Sequence, residues 1–348
     1  MKKLKRLALI LIINGVLLLP LIYGFEFLLE RKDPKKNLPV NGMVNGKLFT
    51  WGHLVENNRF DFRERDFAAP KPPGVFRIMI LGDSLTWGAG LAPDARYSDL
   101  IEKSLNDAYP ARKFEVLNFG IPGGPTTEER DVLRKYKDLV QPDLIIVGFC
   151  INDPQPKGQD YSVERERFEA KTARMITSLK YRLGKVGLPA IAQLIKNAAY
   201  GFAEKTNMMP SWEAALDRTY VKSSVEWQEF VKALSEIKQM SDEMKLPAPI
   251  FVALNQGEKT GSDYVKPDEM ISYFIKWTRA GEQAADEVGF KTLDYEKEIP
   301  VELSNDSMVI NVLDGHPSAK LNQLYARKLF SVVVADAGLN GERTQPGH

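Results

Sequence analysis

The chain reads as an α/β protein whose mostly parallel sheet is covered by helices on both faces. An apolar helix precedes this unit and a long helical insertion interrupts it. Three observations predict this class. From residue 75 onward, short apolar runs of strand length alternate with stretches of helical spacing, the pattern of βαβ units. Loops rich in Gly, Asn and Asp follow the strand-like runs. The composition is globular, 44% hydrophobic and 27% charged over 348 residues, which suffices for a core of good size.

The elements follow in order. Lys2, Lys3, Lys5 and Arg6 precede an uncharged run from Leu7 to Phe25. At about 1.5 Å per residue, these roughly 19 residues approach the hydrocarbon thickness of a bilayer. The run is long for the apolar region of a cleaved signal peptide, and no small-x-small site follows it. Residues 1–32 are therefore expected to be an uncleaved transmembrane signal anchor. The leading cations carry no acid among them, which favours a cytoplasmic N-terminus with the rest of the chain outside the cytoplasm. Residues 33–73 read as a polar connector ending in Pro70, Pro72 and Pro73. Five buried strands are expected at Val75–Leu81, Phe114–Phe119, Leu144–Phe149, Pro249–Leu254 and Phe290–Leu293. Helices are expected at Tyr97–Ala108, at Glu128–Leu139 with Thr126 and Glu129 as a capping box, around Trp227–Ile237, and after Pro317 as first helical residue. This α/β domain would span 74–337, with the insertion at about 155–225 and a polar tail at 338–348.

The insertion carries Lys171, Arg174, Lys180, Arg182, Lys185 and Lys196, with no acid between 171 and 196. Leu188, Ile191, Leu194, Ile195, Ala198 and Phe202 fall at helical spacing. It reads as a cap over the sheet edge or as a lid resting on an anionic membrane surface. Formal net charge is +1, which gives nucleic acid no global attraction. The single cysteine, Cys150, allows no intrachain disulfide.

Sites in open α/β sheets form beyond the carboxyl ends of the strands. Gly82-Asp83-Ser84-Leu85 follows the first strand, Asn118-Phe119-Gly120 the second and Cys150-Ile151-Asn152-Asp153 the third; Asp314-Gly315-His316-Pro317 precedes the last helix. A serine hydroxyl needs a base within hydrogen-bond reach. Of three histidines, His348 ends the chain and His53 lies in the connector, which leaves His316 as base. Asp314 is the nearest acid to orient it. The backbone N–H groups of Ser84 and Gly120 and the Asn152 amide are candidate oxyanion donors, with glycine at 120 letting substrate approach closely. Asp83 is expected to support the turn around Ser84, Glu129 to cap a helix, and Cys150 to be a small buried side chain. Each motif alone has a plainer reading, as a turn, a strand end or a helix cap; their joint order favours chemistry. No histidine–cysteine–carboxylate cluster has metal spacing, and no cofactor is expected.

These four segments resemble the signature blocks of the SGNH, or GDSL, hydrolase superfamily. The resemblance implies a flavodoxin-like three-layer α/β/α fold with a five-stranded sheet and a metal-free serine esterase mechanism. It implies Ser84 as nucleophile, Gly120 and Asn152 as oxyanion residues and His316 as base. The row Asn57–Arg65 is similar to a lead-in of membrane-anchored bacterial members, with Asp61 where glycine is common. Two departures stand out. The acid usually precedes the histidine by three residues, yet position 313 is leucine and Asp314 stands two before; and Gly148 stands four before Asn152. The expected activity is an ester hydrolase or acyltransferase working through an acyl-serine, on O-acyl, foremost O-acetyl, groups of an extracytoplasmic glycan. The alternatives are a lysophospholipid esterase or thioesterase at the membrane, and a non-catalytic scaffold.

Overall fold

The computed structural model describes residues 2–33, 37–156, 172, 175, 176, 178–208, 211–254, 267–293, 308–311 and 313–339. In chain order the elements are α1 (Lys2–Arg31), β1 (Gly42–Val44), β2 (Lys47–Thr50), β3 (His53–Leu54), β4 (Val75–Gly82), α2 (Ser84–Trp87), α3 (Tyr97–Ala108), β5 (Lys113–Gly120), α4 (Thr126–Val140), β6 (Leu144–Phe149), α5 (Pro189–Lys205), α6 (Trp212–Thr219), α7 (Val225–Glu243), β7 (Ile250–Ala253), α8 (Pro267–Val288), β8 (Lys291–Leu293), β9 (Val309–Asn311), β10 (Asp314–Pro317) and α9 (Ala319–Asp336).

The chain divides into two compact units, residues 1–38 with 161–215, and residues 39–160 with 216–348. The second holds a five-stranded sheet in the order β5-β4-β6-β7-β8, parallel throughout. Every residue of β4, β6 and β7 is buried, which is why these strands read as continuous apolar runs. Helix α3 packs on β5 and α9, while α4 packs on β4 and α7, and α7 on α8. The chain steps from β4 outward to β5 and then back across to β6, so right-handed crossovers put these two groups of helices on opposite faces. The order reverses beside β4, and loops following β4, β5 and β6 open there, at the topological switch point.

Residues 39–73, read from sequence as a connector, belong to this second unit. They form a three-stranded antiparallel ribbon, β1-β2-β3, followed by a segment whose polar side chains are built into the core. Arg63 donates to the carbonyls of Gly88 (2.7 Å) and Leu91 (2.6 Å), and Glu64 accepts the Asn118 N–H (2.9 Å). A second ribbon, β9-β10, is also antiparallel. Two helix-start expectations are corrected. Pro317 ends β10, and Ser318 caps α9 by accepting the Leu321 N–H. Helix α4 starts at Thr126 after Pro125 with no side-chain cap, and Glu129 is fully buried rather than capping.

In the first unit, α1 is tied to the described part of the insertion. The Tyr23 hydroxyl donates to the Val186 carbonyl (2.6 Å). The buried Glu26 carboxylate accepts the N–H groups of Ala190 (2.6 Å) and Ile191 (2.8 Å), filling orphan donors at the positive end of α5. Among the described residues no helix is long and apolar enough to cross a membrane. The side chains of residues 7–13, 15 and 16 in the run Leu7–Phe25 lie outside the described residues, as do Lys171 and Arg174 of the insertion and residues 340–348 of the tail.

Candidate active site

The position of Ser84 is set by glycines. Gly120, Gly82 and Gly148 stand side by side across β5, β4 and β6. A Cβ on Gly82 would come within 2.1 Å of Thr86 Oγ1, one on Gly148 within 2.4 Å of the same atom, and one on Gly120 within 2.3 Å of the Trp87 nitrogen. The three therefore make a floor without side chains on which the single turn of α2 lies. Asn118 fastens it, donating from Nδ2 to the Thr86 carbonyl (2.6 Å) and to Ser98 Oγ (2.9 Å). Thr86 Oγ1 meets the Tyr97 hydroxyl at 2.8 Å. Asp83, fully buried, caps the turn: Oδ1 accepts the Leu85 N–H at 2.8 Å and Oδ2 lies 3.2 Å from Ser84 Oγ. Burial pushes its carboxyl above the usual range, against the pull of its hydrogen bonds and of His316.

Ser84 Oγ is 2.9 Å from His316 Nε2. For Nε2 to accept the hydroxyl proton, Nδ1 must carry one, and Nδ1 contacts Asp314 Oδ1 in a short hydrogen bond. Asp314 Oδ1 also accepts the His316 backbone N–H at 3.0 Å. The two-residue spacing now has a cause. Residues 314–317 are extended, and side chains two apart on a strand leave the same side. Leu313, where the resemblance would put the acid, is 41% exposed. Burial opposes charge on the imidazole, but the hydrogen bond and charge of Asp314, with Asp83 beyond, outweigh it and raise the His316 pKa. Burial likewise acts to raise Asp314, but the His316 bonds and the Trp51 bond bring it down to about 2.

The expected oxyanion residues separate. The Gly120 N–H donates to Asn118 Oδ1 at 2.9 Å, so it is already engaged, and its missing side chain makes room for α2 rather than for substrate. Gly123, three residues on, has φ +66° with open space where a Cβ would stand, and its N–H has no protein acceptor among the described residues. Asn152 is half-buried on the turn after β6, held by its own carbonyl, which accepts the Gln155 N–H (2.8 Å). Cys150 is buried, and burial pushes its thiol far up, with Asp83 and Asp153 adding to the effect, as suits an inert side chain. His53 sits in β3, paired with Thr50 across the first ribbon.

Sequence reasoning did not assign four residues the surroundings they have here. Trp51 donates from Nε1 to Asp314 Oδ2 at 2.5 Å. Arg63 clamps the loop after α2 and lies 4.7 Å from the Trp87 ring centre; it stands in the row Asn57–Arg65, so the signal was present but unassigned. Glu129 and Asp153, both buried, have carboxyls raised far above the usual range, first by burial and then, for Glu129, by Asp83 and, for Asp153, by Glu129 and Asp83. Beside Gly120, a cavity of about 330 Å³ is walled by Trp87, Tyr136 and Phe60, with Asp61, Asp131 and Lys135 also lining it. Asp61 adopts φ +66°, a conformation in which the glycine of the lead-in would be unstrained. Among the described residues no group of three or more His, Cys, Asp or Glu side chains could hold a metal.

The GDSL-like Lipase/Acylhydrolase family model matches residues 80–242. Similar solved structures include the acetylxylan esterase Axe2 from Geobacillus stearothermophilus, with 16% identity over 78% of this chain and 97% of that one and a TM-score of 0.42. TesA has 12% identity over 74% and 97%, with a TM-score of 0.41. The psychrotrophic esterase EstA from Pseudoalteromonas sp. has 12% identity over 75% and 98%, with a TM-score of 0.42. No curated protein matches the chain. The matched segment opens inside the strand that delivers Ser84 and runs past Asn152, while His316, supplied from beyond it, meets Ser84 Oγ; over this segment the chain is similar to the GDSL-like Lipase/Acylhydrolase family.

Proposed function

We propose that the protein is a serine esterase working through an acyl-Ser84 intermediate, with O-acyl, foremost O-acetyl, groups on an extracytoplasmic glycan as substrate. The observation that carries the chemistry is the hydrogen-bonded line from Ser84 Oγ through the His316 ring to Asp314. Ser84 Oγ attacks the acyl carbon as its proton passes to Nε2. The carbonyl oxygen becomes an oxyanion, met by the Asn152 amide and the N–H groups of Ser84 and Gly123. His316 returns the proton to the departing alkoxide, leaving acyl-Ser84. Water, or a sugar hydroxyl in a transferase, then attacks by the reverse proton route.

The cavity beside Gly120 supports a sugar-like alcohol. Aromatic walls suit the apolar face of a sugar ring, and carboxylates at Asp61 and Asp131 can accept its hydroxyl hydrogen bonds. The extracytoplasmic location rests on the apolar run Leu7–Phe25 behind four cations, within the 30-residue helix α1. A lipid ester is the second reading. It is favoured by α5, whose Leu194, Ile195 and Phe202 are exposed while Ala192 and Ala203 are buried.

A fluorophosphonate followed by a p-nitrophenyl ester series from acetate to octanoate tests both. Ser84 should be labelled and acetate should give the highest kcat/KM. An unlabelled Ser84 would remove the esterase reading. Preference for long acyl chains would move the assignment to lipid esters.

A further inference from the structure

The catalytic acid has two oxygens with separate partners. Oδ1 takes the His316 ring and backbone N–H, and Oδ2 takes the Trp51 indole N–H. Trp51 reaches it from the turn between β2 and β3, far upstream of every motif that points to chemistry. Its φ of +45° is uncommon for a residue with a large side chain, a conformation that persists only where the surroundings fix it. The surroundings do fix it. The buried Thr50 Oγ1 accepts the Gly90 N–H at 2.7 Å, and the Gly52 N–H donates to the Val40 carbonyl at 2.6 Å. Gly90 is also the contact point of the other ribbon, since a Cβ there would come within 2.7 Å of the Ile310 side chain on β9. The loop after α2 thus joins the ribbon that carries Trp51 to the ribbon that carries Asp314 and His316.

A carboxylate pinned only through Oδ1 can rotate about its χ2, a soft torsion with broad minima. A second donor at Oδ2 stops that rotation and favours the charged form. We propose that Trp51 is a positioning residue for the hydrolytic reaction, holding the Asp314 carboxylate in the plane in which it orients His316. Residues 42–54 then form part of the catalytic unit. The inference rests on the esterase reading above.

The test uses the full chain. Trp51→Phe keeps an aromatic ring and loses the donor; in Trp51→His, imidazole Nε2 stands where indole Nε1 stood. With p-nitrophenyl acetate, the Phe variant should lose about tenfold or more in kcat, as for a lost hydrogen bond to a charged group, with KM changed less than about twofold. The His variant should recover most of the loss. Fluorophosphonate phosphonylation of Ser84, with loss of fluoride, should slow in proportion. On the unaltered chain, one of the five tryptophan indole N–H resonances should lie far downfield and shift as His316 titrates, with Asp314 and Asp83 as the other charges facing that imidazole. A folded Phe variant with parental kcat, or no indole resonance that follows His316, overturns the proposal. Parental enzyme that takes no fluorophosphonate would instead overturn the esterase reading itself.

Discussion

Ser84 and His316 meet across 2.9 Å, but the two halves of the site are held in different ways. Ser84 follows an interior strand of a parallel sheet, on a helical turn seated on three glycines. His316 and Asp314 project from a two-stranded ribbon outside that sheet, braced by side chains of a second ribbon. One half is fixed by the exclusion of volume, the other by hydrogen bonds between short exposed elements. Packing constrains every neighbour at once; a hydrogen bond constrains one torsion. The nucleophile half should therefore fail by losing fold, and the base half by losing alignment within an intact fold.

The largest expected effect lies at the reacting atom. Ser84→Ala should lower kcat by at least about 10³-fold while leaving the unfolding midpoint close to that of the parent, because the hydroxyl is chemistry and not support. Parental hydrolysis by this variant would end the comparison, since Ser84 would then hold nothing of catalytic value.

Asn152 sharpens the contrast. Its amide is half-buried on a turn, and an oxyanion donor acts mainly in the transition state. Asn152→Ala should lower kcat by about 10²–10³-fold with a smaller change in KM. An effect confined to KM would make Asn152 a ground-state binding residue.

The smallest effect concerns the buried acids beneath the nucleophile. Glu129 has its pKa raised far above the usual range by burial, helped by Asp83. A carboxyl raised in the folded state favours the protonated form, so it supports folding below its unfolded pKa, about 4.3. That support is lost as pH rises through the folded pKa. Glu129→Gln should thus gain thermal stability over the parent at pH 8 and gain little at pH 4. Equal shifts at both pH values would show that proton linkage is not the cause.

Much of this was legible in the sequence where burial is two-sided. All five sheet strands fall within a residue or two of their apolar runs, and β4, β6 and β7, buried along their whole length, leave no alternation to misread. The ribbons were not legible. β3 has two residues and β9 three, too few for any period to emerge. Trp51 carries no local signature, since its partner lies 263 positions away. Gly120 was read as room for substrate when it is room for a helix; a single glycine does not say which neighbour comes close. Asp314 was found by proximity, and the extended backbone at 314–317 explains a spacing that the resemblance left irregular. The described part of the insertion is bonded to α1 through Tyr23 and Glu26, partners that its own helical pattern does not show.

The glycine floor has a consequence for how variants of this enzyme would be interpreted. Gly82, Gly120 and Gly148 would each reject almost any replacement, and a saturation screen scored on turnover would rank them beside Ser84. Yet each acts by leaving a gap. Such a screen would draw the footprint of α2 onto the sheet as though it were a substrate footprint. Only a parallel readout of protein abundance would separate the positions that react from the positions that make way.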